Sequence, residues 1–292
     1  MLREKEIQAL IALLDDNDSE VVHLVKNQLI DQGIAIHDIL QEAILESNTD
    51  IELENLMEVI AEIQSRDLKS DFKRWMLTPS KSLLDGAYLI AKINFLDFDF
   101  DKYKTSLEKL KKEVWMEINQ HQTPFEHVSI INQVLFVQNN FKVVDHLLES
   151  DLYALPYAID SRKGNIYSIG LLYAILSELL HIPIYTVDLE DHLILAYCRD
   201  FIHNKRLLQE DVLFYINPEK NGAVFSKSEI DAYINKKQLF PLPKFFEPAP
   251  SNMIIRSMLT ILSRFYSTKD PAKNKLAQEF IEIIDNYWMG YK

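Results

Sequence analysis

The stretch LPYAIDSRKGNIYSIGLLYAILSELLHIPIYTVDLEDHLILAY, residues 155–197, decides the fold. From Ile166 to His181 the polar side chains are only Ser168, Ser177, Glu178 and His181. A helix that is apolar nearly all round is buried inside a domain. Ile182-Pro183 ends it, because proline cannot continue a helix. Ile184 to Val187 then reads as a short strand, Asp188 to Asp191 as a loop, and His192 to Cys198 as a second strand. Leu213 to Ile216 makes a third, and Pro218-Glu219-Lys220-Asn221-Gly222 is a turn. Ser226 or Ser228 opens a helix through Ile230 and Tyr233. A buried helix followed by an antiparallel meander predicts an α+β core in a predominantly helical chain.

Upstream, no proline occurs before Pro79. Ile7, Leu10, Ile11 and Leu14 have helical spacing, and Asn17 with Glu20 is spaced as a capping pair. A second helix follows through Val21, Val25, Leu29 and Ile30, with Gly33 as its C-cap. A third covers Ile34 to Leu45, and Thr49 with Glu52 opens a fourth through Ile63. Four helices of about 12 to 15 residues with short loops suit a HEAT-like stack or a small bundle. Phe98-Asp99-Phe100 alternates as a short strand or extended loop would, and Tyr103 to Ile118 is helical with a lysine-rich solvated face. Val128 to Val137 and Val143 to Leu148 also read as helical. Downstream, Pro241, Pro243, Pro248 and Pro250 suggest a linker. Beyond it, Met253 to Tyr266 and Leu276 to Trp288 form a tetratricopeptide-like pair around Asp270-Pro271. The expected domains are therefore 1–94 (helical), 95–240 (core), 241–250 (linker) and 251–292 (helix pair).

Composition narrows the function. The 292 residues carry 31 Lys and Arg against 44 Asp and Glu, a net charge of −13. That argues against gripping nucleic-acid phosphates and against a basic membrane patch. The six glycines, where an average chain of this length carries roughly 20, form no phosphate-cradling loop. The single cysteine, Cys198, excludes an internal disulfide framework, a Cys-based zinc site and an iron–sulfur cluster. No apolar run is long enough for a bilayer, and the first residues lack the pattern of a signal peptide. These features predict a cytoplasmic protein with no cofactor and no membrane attachment.

The helix–strand–strand order has a mechanical meaning. In papain- and transglutaminase-type enzymes a thiol at the N-terminus of a buried helix gives its proton to a His on a following strand. An Asp or Asn on the next strand orients that His. Residues 155–197 resemble the core of the SirB family of transglutaminase-like proteins, and residues 131–141, 214–231 and 247–266 continue the resemblance in order. Arg162-Lys163-Gly164 before the helix and His181-Ile182-Pro183 after it are its most specific anchors. The resemblance implies that the nucleophile position, counted back from Pro183, is Ile166, that the His is His192, and that the orienting residue is Asn217. Members of this family often lack the nucleophile. The usual Pro-Gly-His-Phe reads Glu190-Asp191-His192-Leu193 here.

Other nucleophiles fit poorly. Ser168 lies about 200° round the helix from Ile166, and Tyr167 about 100°. Cys198 is about 20 Å along the strand from His192. His192 either binds through its imidazole or bonds Asn217 and joins the strands. Asp188, Glu190, Asp191 and His192 form a weak candidate ion site, and the remaining histidines, His127 among them, show no ligand spacing. Tyr153, Tyr157, Tyr167, Tyr173, Tyr185 and Tyr197 line a groove or pack in the core. The expectation is a non-catalytic protein with no catalytic residue and vestigial Ile166, His192 and Asn217, holding neither metal nor cofactor and binding a protein or peptide. The alternative is a hydrolase or acyl transferase with a non-standard nucleophile. A further reading is a regulator acting through its acidic surface.

Overall fold

The computed structural model describes residues 2–47, 49–94, 100–144, 150–190, 192–200 and 207–289. They divide into two units, Met1–Arg74 and Trp75–Lys292.

The first unit is built from α1 (Glu4–Ile11), α2 (Ser19–Gln32), α3 (His37–Glu46) and most of α4 (Asp50–Leu77). Asp18, one residue beyond the expected Asn17, caps α2 by accepting the Glu20 N–H at 2.9 Å. Gly33, at φ +68°, ends it as predicted, in a conformation glycine adopts freely. A short 3-10 turn over Gly33–Ile36 precedes α3. Ile7, Leu14, Leu29, Leu40, Leu56 and Ile63 fill the core. At 28 residues α4 is about twice the expected length. Leu68, Phe72 and Met76 continue its buried stripe at helical spacing, and no glycine or proline interrupts it before Pro79.

The second unit opens with α5 (Leu83–Asn94), α6 (Phe100–Glu117) and α7 (Pro124–Asn132), which passes into a π-helical turn over Gln133–Gln138. Of the Phe98-Asp99-Phe100 run, Phe98 and Asp99 lie outside the described residues and Phe100 starts α6. The expected helix from Val143 is instead the end of β1 (Lys142–Val143), and residues 145–149 lie outside the described residues. Next come α8 (Leu155–Ser161), β2 (Lys163–Gly164), which pairs in parallel with β1, and α9 (Ile166–Leu179), the predicted buried helix. The meander is β3 (Ile184–Asp188), β4 (Leu193–Cys198), β5 (Val212–Asn217) and β6 (Ala223–Phe225), antiparallel in that order. It is followed by α10 (Lys227–Lys237), α11 (Ser251–Tyr266) and α12 (Pro271–Met289). Arg256 of α11 grips Asp285 of α12 through two bonds of 2.7 and 2.8 Å.

Two sets of contacts hold the second unit together. The division at residue 74 lies before α5, because α5 packs on α11: a Cβ on Gly86 would come within 2.8 Å of Ile255 Cγ1. Segment 241–250 is not a free linker. Phe245 and Phe246 are buried with Ile194, Ala196 and Tyr215 on one face of the sheet. The Tyr215 hydroxyl donates to the Phe246 carbonyl at 2.8 Å, and Ala249 N–H to the Thr186 carbonyl of β3 at 2.8 Å.

Candidate functional site

Asn165 caps α9, its Oδ1 accepting the Ser168 N–H at 2.9 Å. Gly164 precedes it because a Cβ there would lie 2.2 Å from Ser168 Oγ. Ile166 is then the first helical residue. One turn on, a Cβ at Gly170 would lie 2.7 Å from Leu193 Cδ2 and 3.6 Å from Pro218 Cγ. The first turns of α9 therefore rest on the start of β4 and the end of β5, where His192 and Asn217 lie. The fold brings the backbones of the three expected positions to one corner.

Their side chains diverge. Along a strand, successive side chains point to opposite faces. Leu193 points at α9, whereas Ile194, Ala196 and Cys198 pack with Ile230 and Ile234 of α10. His192 shares the α10 side, and its ring stacks on Tyr233 with centroids 5.6 Å apart. Asn217 Oδ1 accepts the Glu219 N–H at 2.9 Å. The expected His192–Asn217 hydrogen bond does not occur among the described residues. Burial holds the His192 imidazole below its ordinary range; Glu219 opposes that shift and Lys237 adds to it.

The other candidates lie apart. Cys198 is fully buried, and burial pushes its thiol up to about 12, far from a thiolate at neutral pH. Ser168 Oγ bonds the Asn165 carbonyl within its own helix turn. Tyr153, Tyr167, Tyr173 and Tyr197 are buried in the core. Asp188 accepts the Ser257 hydroxyl of α11, and burial raises its carboxyl. Glu190 pairs with Lys244 at 3.2 Å. Asp191 lies outside the described residues. Among the described residues no three His, Cys, Asp or Glu side chains are grouped as a metal would need.

Two arrangements were invisible in the sequence. His127 of α7 hydrogen-bonds the Tyr197 hydroxyl at 2.8 Å. Beside it Phe125 stacks on Phe214 at 4.5 Å, at the edge of a groove of about 290 Å³ that Val224 and Lys227 also line. Asn132 accepts the buried Tyr173 hydroxyl at 3.1 Å and donates to the Gly222 carbonyl at 2.9 Å, tying α7 and α9 to the β5–β6 turn. No local pattern announces either contact, since the partners stand 70 and 90 residues apart.

The depressed His192 pKa has a consequence for stability. The unfolded chain binds this proton near the ordinary 6.5 and the folded chain only at lower pH. The contribution is therefore complete above 6.5 and is lost as pH falls through the folded value. His127, also depressed by burial, acts in the same sense. Asp188, raised, acts in the opposite one: its contribution is complete below 3.8 and is lost as pH rises through its folded value. The informative quantity is thus a difference. Going from about pH 7.5 to about pH 5.5, His192→Gln should lose less thermal stability than the wild type. Parallel curves would show that His192 does not titrate as described.

Comparisons agree with this architecture. A family model described as Transglutaminase-like superfamily matches residues 101–260, more than half of the chain. UPF0162 protein BU173 of Buchnera aphidicola subsp. Acyrthosiphon pisum (strain APS) is 25% identical over 186 residues, which cover 62% of this chain and 65% of that protein. No solved structure matches. No helix among the described residues is long and apolar enough to cross a membrane. With a buried helix leading into an antiparallel meander across the matched region, the chain belongs to the transglutaminase-like superfamily.

Proposed function

We propose that this is a non-catalytic transglutaminase-like protein of the SirB type that binds a protein or peptide partner in the cytoplasm. The SirB assignment rests on Arg162-Lys163-Gly164 before α9 and His181-Ile182-Pro183 after it. The carrying observation is Ile166, an alkyl side chain on the first residue of α9, where enzymes of this architecture need a nucleophile. The stacking of His192 on Tyr233 and the capping role of Asn217 support the same reading, since neither group is held ready to move a proton at α9. A binding role suits the helical flanks, because helical repeats offer extended surfaces to peptides.

The purified chain is expected to show no amidase or cross-linking turnover and no labelling of a groove Ser or Tyr by electrophilic probes. Ile166→Cys is expected to stay inactive, because the new thiol would lack an imidazole turned toward it. Turnover that His192→Ala abolishes would overturn the proposal.

A further inference from the structure

The charge of this protein is unevenly distributed. From Glu6 to Gln64 there are fourteen carboxylates and one basic residue, Lys26. The solvent-facing arc of α4 concentrates this imbalance. Glu54, Glu58 and Glu62 are exposed at i, i+4 and i+8, so they form one row along the helix. Like charges at this spacing repel and weaken a helix. Lys26 answers Glu58 and Arg66 answers Glu62, but among the described residues no cation pairs with Glu54.

The same arc also exposes apolar side chains. Ile51 is 61% exposed and Met57 58% exposed. Met57 and Ala61 form the row beside the glutamates, and Ile51 lies one turn before Glu54. A soluble helix normally turns such residues to the core, as α4 does with Leu56, Val59 and Ile63. Here apolar contacts and a row of negative charge share the outward face.

We infer that this arc of α4 docks a basic amphipathic helix of a protein partner. Charge complementarity selects the occupant. Lys or Arg spaced i, i+4 on the partner meets Glu54, Glu58 and Glu62, while its apolar row covers Ile51, Met57 and Ala61. Docking also gives Glu54 the counter-charge that Lys26 and Arg66 already supply to Glu58 and Glu62. The inference rests on the reading of the chain as a binding protein, and it supplies the chemistry of the partner.

The test uses the full chain and a fluorescent synthetic peptide of about 14 residues, long enough for four helical turns, with Lys at i, i+4 and i+8 and Leu in the adjoining row. Two control peptides replace Lys by Glu or Leu by Ser. Anisotropy should show binding of the first peptide only. Ile51→Ser with Met57→Ser, and separately Glu54→Gln with Glu58→Gln and Glu62→Gln, should each weaken binding by roughly tenfold or more. Raising the salt should weaken it too. Hydrogen exchange of the wild type should show peptide-dependent protection within residues 51–62, which locates the site without any substitution. Equal affinity for the wild type and the Ile51→Ser, Met57→Ser variant, or protection elsewhere, overturns the inference. So does self-association that this variant abolishes, since a second copy would then be the occupant. Turnover in the amidase assay overturns the non-catalytic reading and leaves this measurement standing. No peptide binding by a chain without turnover overturns this inference alone.

Discussion

Gly222→Ala should destabilise the fold by about 3 kcal/mol, lowering the melting midpoint by about 6–12 °C. Gly222 sits at φ +75°, where an L side chain is strained. The new Cβ would also lie 1.8 Å from Asn132 Oδ1. Asn132 cannot swing aside without losing both its bond to the Gly222 carbonyl and the buried Tyr173 hydroxyl that it accepts. The hydroxyl would keep only its longer bond of 3.4 Å to the Val128 carbonyl, and poor pairing of a buried hydroxyl costs up to about 1–3 kcal/mol. A double-mutant cycle separates the causes. In an Asn132→Ala background the clash is gone and only the backbone penalty, about 1 kcal/mol, should remain. If Gly222→Ala costs less than about 0.5 kcal/mol in a denaturant melt, the described turn is wrong.

The second large effect concerns the Pro-rich segment. Phe245 is 1% exposed and packs with Ile194, Ala196 and Tyr215, whereas Phe240, five residues earlier, is 78% exposed. Phe245→Ala should cost about 3–5 kcal/mol. Phe240→Ala should stay within about 0.5 kcal/mol of the wild type. Were the segment a free linker, both substitutions would be equally harmless, so the contrast between them is the measurement. The Ala249 bond to Thr186 agrees with a segment that also covers the outer edge of β3.

Why the linker expectation misled is clear from its residues. Four prolines within ten positions are a local signal, and they do mark irregular backbone. Whether two phenylalanines between them meet solvent or a sheet depends on a surface about thirty to fifty residues away in sequence. The length of α4 is the reverse case. Its stripe continued through Leu68, Phe72 and Met76 without a breaker and was readable throughout, but Thr49 to Ile63 alone already satisfied the length of a repeat helix.

The corner at α9 divides along the same line. Composition alone identified the helix from Ile166 and the three strands after it, since an almost wholly apolar helix has to be buried and Pro183 has to end it. The resemblance to the SirB family then singled out Ile166, His192 and Asn217 on these neighbouring elements. What it left open was the direction of each side chain. In β4 both Leu193, Leu195, Tyr197 and Ile194, Ala196, Cys198 are apolar, because helices cover both faces of the sheet. A strand buried on both sides carries no in–out alternation to read. Only the packing of Gly170 on Leu193, and of Tyr233 on His192, decided that the imidazole turns away from α9.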